Sequence, residues 1–185
     1  MLLKEDQPGN YAPDVFPVNK FDEDGQQVDL RSKNSWVSRI GDVSLEEMCE
    51  VQAINNIAPF ILTKQVLPLM YKKPLERSAY VINVSAMEGQ FNRFKTSFHP
   101  HTNCAKAALN MFTRTCAGEF ANQGVWLNSV DTGWVTVETP VKKEGLLAFH
   151  PPLDEVDGAA RVLDPIFTAS VKFGQFLKDF EPVAW

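Results

Sequence analysis

His101-Thr-Asn-Cys-Ala-Lys106-Ala-Ala-Leu-Asn-Met-Phe112 is the stretch on which the fold turns. Ala105, Ala108, Leu109, Phe112 and Cys116 recur through and beyond it at the three-and-four spacing of one helix face. Lys106 stands near the start of this helix and Thr102 lies four residues earlier. Hydroxyl and ammonium therefore share a face wherever the helix covers both. Gly118 weakens the helix near its end, and Gly124 falls in the turn that follows.

On either side lie two short runs suited to buried parallel strands. Ala79-Tyr-Val-Ile-Asn-Val84 closes on Ser85, and Val125-Trp-Leu-Asn-Ser-Val130 closes on Asp131-Thr-Gly133. Upstream, Ser44-Leu-Glu-Glu47 has capping-box spacing, in which Ser44 and Glu47 satisfy free N–H groups reciprocally. Met48, Val51, Ile54, Ile57, Ile61 and Leu62 continue it at helical spacing toward Met70, with Pro59 placed to kink the helix or split it. Downstream, residues 138–150 read as a loop or short helices, and residues 153–163 as a third helix stopped near Pro165. Gly174-Gln-Phe-Leu177 reads as a terminal strand. Residues 1–43 mix prolines, glycines and charges without a sustained period and read as an irregular segment, leaving residues 44–185 as the ordered unit. Alternating helices and strands predict an α/β protein with a parallel sheet flanked by helices. Its polar motifs fall at the carboxyl ends of strands, where open α/β sheets place ligands.

At 185 residues the chain suits one domain with a sizeable core. A net charge of −5 gives no reason to expect nucleic acid, which needs a clustered basic face, and Lys142-Lys143 is only a short pair. Three cysteines, Cys49, Cys104 and Cys116, lack CxxC spacing, which favours a reducing compartment and no metal site. No apolar run approaches membrane-spanning length and the opening residues do not form a signal peptide, so a cytoplasmic protein is expected.

Between about Ser44 and Val137 the order of motifs resembles the second half of the short-chain dehydrogenase/reductase family, whose active-site helix carries Tyr-x-x-x-Lys. Ile54-Asn55-Asn56-Ile57-Ala58-Pro59-Phe60 resembles the helix whose asparagine holds a water in the proton relay, with Asn55 at the matching position. Ser85, at the end of its strand, matches the serine that hydrogen-bonds the substrate carbonyl; a serine there is also an ordinary turn former. Lys106 matches the lysine that binds the nicotinamide ribose and lowers the tyrosine's pKa, and Thr102 occupies the tyrosine's place. Asn128-Ser-Val-Asp-Thr-Gly133-Trp-Val135 resembles the segment whose backbone reaches the nicotinamide carboxamide. Gly133 and Val135 fit that segment, Thr132 stands in for proline, and Thr136 comes one place earlier than the usual threonine.

The resemblance implies a partial Rossmann-like domain lacking its N-terminal strands. It also implies an NAD(P)-dependent oxidoreductase acting on a small-molecule carbonyl or alcohol, with a partial site for NAD or NADP. Two family features are absent from the sequence. One is the tyrosine, for which His99 and His101 are the candidate substitutes because imidazole titrates near neutrality; Tyr80 lies about 16 Å from Ser85 at strand rise. The other is the glycine-rich phosphate turn. A missing front half would leave a sheet edge and helix faces uncovered, so a homo-oligomer or a complementing N-terminal partner is expected. A non-catalytic Rossmann-like module for binding, regulation or oligomerisation fits the same sequence.

Overall fold

The structure, a computed structural model, describes residues 14–22, 25–71, 77–139 and 151–185. Most of the segment expected as a loop over 138–150, including Lys142 and Lys143, lies outside the described residues. The chain forms α1 (Leu45–Gln52), a π turn (Ala53–Ile57), α2 (Ala58–Tyr71), β1 (Ala79–Ser85) and a 3-10 turn (Met87–Gly89). It continues with α3 (Pro100–Ala121), β2 (Val125–Asp131), α4 (Glu155–Phe167), β3 (Phe176–Lys178) and β4 (Glu181–Val183). The sheet order is β1-β2-β3-β4. β1 and β2 run parallel, from Ala79 opposite Val125 to Ser85 opposite Asp131. β2 and β3 are also parallel, and β3 and β4 antiparallel. This is a mostly parallel, Rossmann-like α/β sheet flanked by helices. Among the described residues β1 is paired on one side only.

β4 was not anticipated. The β3–β4 turn places Asp179 and Phe180 at φ of +49° and +70°, a conformation usually signalled by Asn-Gly, which this sequence lacks. Arg161 of α4 holds it, reaching Asp179 at 3.2 Å and stacking its guanidinium 5.1 Å from the Phe180 ring centre.

Pro59 acts as its position suggests. Its ring clashes with the carbonyl four residues back, that of Asn55, and the chain answers with a π turn in which the Ala58 N–H bonds to Ala53 O. The expected third helix does stop near Pro165, ending at Phe167. α4 starts from an Asp154–Asp157 capping box and runs through Pro165 to Phe167, because a proline in the last turn removes only one ladder bond. Ser44 caps α1 by accepting from the Glu47 N–H at 3.1 Å. The expected reciprocal bond is replaced: the Glu47 carboxylate instead takes the Ser35 hydroxyl and faces His101 Nε2 at 3.2 Å. The stretch before α1 is thereby tied down. Trp36 stacks on His99 with ring centres 4.2 Å apart, and the His99 N–H donates to Ser38 O at 2.7 Å.

The core lies where α3 crosses the sheet. Ala117, Phe120, Val125 and Leu127 form its buried centre, with Leu67, Met70, Tyr71, Ala79 and Val81 packed around them. The buried face of α3 is turned from the stripe the sequence suggests. It runs His101, Ala105, Leu109, Asn110, Thr113, Ala117 and Phe120, while Phe112 meets Phe60 of α2 with ring centres 5.2 Å apart. The opposite side of the π turn and α2 leaves Ile54, Ile57, Leu62 and Leu69 more than half exposed. No helix among the described residues is long and apolar enough to cross a membrane.

Candidate active site

Polarity rises along the sheet toward its carboxyl rim. Val81 and Leu127 lie among apolar neighbours. One step up, Asn83 Nδ2 and Ser129 Oγ both donate to Thr113 Oγ1, each at 2.8 Å. At the end of β1, Ser85 Oγ donates to Asn110 Oδ1 at 2.6 Å. These partners follow one stripe of α3, from Phe120 and Ala117 through Thr113 and Asn110 to Lys106 and Thr102, at three-or-four spacing. The helix thus runs opposite to the strands and brings its first turns over their carboxyl ends.

Lys106 closes this stripe at the rim. Its Nζ donates to Val84 O at 3.0 Å, which leaves two ammonium hydrogens for a ligand. Burial pushes this ammonium below the usual lysine range, with the nearby Glu88 carboxylate opposing. Lys95 donates to the Met87 and Glu88 carbonyls at 2.7 and 2.9 Å and so grips the 3-10 turn after Ser85. Thr102 lies one helical turn before Lys106 and is half-buried.

At the end of β2, Asp131 is nearly enclosed. Its Oδ1 accepts from the Gly133 N–H at 2.7 Å; its Oδ2 accepts from the Met87 N–H at 3.0 Å and pairs with Lys178 Nζ at 3.1 Å. The chain then bends at Gly133, where φ is +79° and an added Cβ would stand 2.5 Å from Leu153 Cδ1. Only glycine meets both conditions. Val135 and Thr136 follow and line a cleft of about 530 Å³ with Pro151, Leu153, Asp154 and Glu155.

Ser85, Lys106 and Gly133 therefore lie on one rim. Asn55 lies in the π turn that packs on α3, and its Nδ2 donates to Val51 O at 3.3 Å. The candidate imidazoles are engaged elsewhere: His99 Nδ1 meets Trp36 O at 2.7 Å, and His101, buried in the first turn of α3, faces Glu47.

The residues present suit the nicotinamide and ribose end of a dinucleotide: a half-buried ammonium, a glycine bend and a cleft of ligand size meet there. They do not suit pyrophosphate. The N-terminus of α4 beside the cleft is capped by its own Asp154 and Asp157, and carboxylates there repel phosphate.

Asn110 and Asp131 were not identified from sequence. Each is a polar residue where burial is expected, Asn110 one turn beyond Lys106 and Asp131 at a strand end, and that mismatch was the available signal. As placed, Asn110 takes the hydroxyl hydrogen of Ser85 and leaves its own Nδ2 buried without a partner. Rotating the amide would let Nδ2 donate to Ser85 and free that hydrogen for a carbonyl. Asn110→Asp, an isosteric group that only accepts, would pin the hydrogen inward. If Ser85 holds a substrate carbonyl, as the resemblance implies, the expected result is a fall of about tenfold in carbonyl kcat/KM, the worth of one hydrogen bond, with dinucleotide affinity unchanged; steady-state kinetics and a binding titration check it.

Strand–helix–strand geometry with a serine, a lysine and a glycine bend on one rim is that of a Rossmann-like α/β scaffold, which places ligands at the carboxyl ends of its strands. The chain belongs to the short chain dehydrogenase family, whose sequence model matches residues 20–145. The match begins upstream of Ser44 and so takes in the stretch fastened to α3 through Trp36 and Ser38. An uncharacterized protein of Acanthamoeba polyphaga mimivirus is 37% identical over 85% of this chain and 35% of its own length. The L-xylo-3-hexulose reductase of Hypocrea jecorina is 33% identical over 58% of this chain and 36% of its own. The chain thus spans about a third of these two relatives. The fold is also that of the NADPH-bound carbonyl reductase from chicken fatty liver, with a TM-score of 0.63 and 23% identity over 84% of this chain and 61% of that one.

Proposed function

We propose that these residues form the substrate and nicotinamide half of an NAD(P)-dependent oxidoreductase acting on a small carbonyl compound or alcohol, with weakened proton transfer. The observation that carries this is the joining of Ser85, Lys106 and the Gly133 bend at one strand rim, through the Lys106–Val84 bond and the shared Asp131 carboxylate.

In this proposal Ser85 orients the substrate oxygen by donating its hydroxyl hydrogen. Lys106 holds the ribose hydroxyls with the donors Val84 leaves free. The backbone of Gly133 and Val135 takes the carboxamide, with Thr136 beside it. Asn55 orders water next to α3, and Thr102 takes the proton-donor position with a hydroxyl of low acidity. When bound, the nicotinamide supplies the hydride. Pyrophosphate contacts and cover for the free edge of β1 come from protein beyond the described residues, either a further segment or a second chain. The likeness to the L-xylo-3-hexulose reductase supports reductase chemistry, and the NADPH of the chicken structure supports the cofactor class.

Titration with NADH and with NADPH, followed by nucleotide fluorescence, tests this. Binding should be saturable, and Lys106→Ala should weaken it at least about tenfold, because a charge-assisted bond to ribose is lost. Undiminished binding in Lys106→Ala would remove the lysine from the site. A second reading, a non-catalytic binding module, is favoured by Thr102 in place of a phenol; it predicts binding without turnover.

A further inference from the structure

The geometry assigns Asp131 as a positioning residue that sets the two walls of the proposed nicotinamide pocket against each other, an inference that rests on that pocket. Each wall comes from a different strand. One is the chain leaving β1 at Ser85, and the other is the bend leaving β2 at Gly133. Parallel strands carry no turn that would fix the relative height of their exits. Here one carboxylate does so: Oδ2 receives the Met87 N–H at 3.0 Å, two residues beyond Ser85, and Oδ1 receives the Gly133 N–H at 2.7 Å, two residues beyond Asp131 itself. Ser85 and Asp131 are register partners, so the carboxylate stands between the two exits.

Lys178 of β3 completes the arrangement at 3.1 Å. It keeps the carboxylate neutralised where only 6% of the side chain meets solvent. An aspartate suits this place because it supplies two acceptors on a short, stiff stem. Asparagine would turn a donor toward one of the two amides, and serine would keep at most the Gly133 contact.

The test uses the full chain and two probes, nicotinamide mononucleotide and the corresponding pyridine mononucleotide without the carboxamide, titrated by NMR. The parent should favour the carboxamide probe about tenfold, the worth of a well-placed hydrogen bond. Asp131→Asn should reduce that preference to near one while holding the affinity for the pyridine probe within about twofold. Lys178→Met keeps both amide contacts and should keep most of the preference.

Equal loss for both probes in Asp131→Asn would mean that Asp131 serves only the fold, and would overturn the inference, as would an unaltered preference. Failure of the parent to bind either probe would instead sink the nicotinamide pocket itself, and this inference with it. Should Asp131→Asn not fold, amide hydrogen exchange on the parent decides. The carboxamide probe, and not the pyridine probe, should slow Met87 and Gly133 together; a response at one amide alone overturns the coupling.

Discussion

Under the proposed function, Thr102→Tyr is expected to raise NAD(P)H-dependent reduction of a simple carbonyl compound by the completed protein by about two orders of magnitude, the usual worth of a positioned general acid. The reduction needs a proton at the carbonyl oxygen as charge develops there. An aliphatic hydroxyl gives up its proton far less readily than a phenol, whose pKa is near 10. Two features would draw a phenol at this position toward neutrality. Lys106 lies one helical turn further on, and its ammonium favours the phenolate. Thr102 also sits in the first turn of α3, which begins at Pro100, where the helix dipole favours negative charge. The side chain is half-buried, so a ring has solvent-side space to occupy. Thr102→Phe supplies the ring without the hydroxyl and should show no gain, and adding Lys106→Met to Thr102→Tyr should cancel it. Equal gains from Tyr and Phe would assign the effect to packing. No gain from Tyr would mean that the helix no longer presents this position to the carbonyl.

The sheet, its two long strands β1 and β2 and the order of helices were legible because hydrophobic period and strand-end polar residues point the same way. Pro59 also announced its break correctly, since a ring that clashes with the carbonyl of Asn55 acts locally. What escaped the sequence was decided across the chain. The face of α3 was misjudged because Asn110 and Thr113 are polar yet buried, each matched by a polar strand residue more than a dozen positions away. The β3–β4 hairpin was missed because Asp179-Phe180 turns at positive φ without the usual turn residues, and Arg161, distant in sequence, packs against both. Glu47 was expected to cap its own helix, but Ser35 and His101 compete for its carboxylate. In the candidate site, Ser85, Lys106 and Gly133 were visible as members of motifs. Asp131 and Asn110 were not, since their roles exist only once two strands and a helix meet.

Gly89→Ala is expected to destabilise the protein by about 2–3 kcal/mol, the upper range for an overpacked methyl group. The 3-10 turn Met87–Gly89 lies directly on α3: an added Cβ at Gly89 would fall 2.6 Å from the Lys106 carbonyl carbon and 2.7 Å from Asn110 Nδ2. Helix backbone cannot yield there without breaking its own ladder, so the turn must lift. Lifting it pulls Met87 from Asp131, and strains the Ser85–Asn110 and Lys106–Val84 bonds on either side. Stability and ligand affinity should therefore fall together, a pairing that a substitution elsewhere in the core need not produce. Gly118→Ala supplies the contrast. Its Cβ meets nothing within 4 Å inside α3, so it should stabilise the helix by about 0.5–1 kcal/mol and leave binding alone. Urea unfolding of both variants, with titration of nicotinamide mononucleotide, gives the comparison. A Gly89→Ala protein as stable as the parent would show that the turn does not rest on α3, and the rim that joins Ser85, Lys106 and Gly133 would lose its footing.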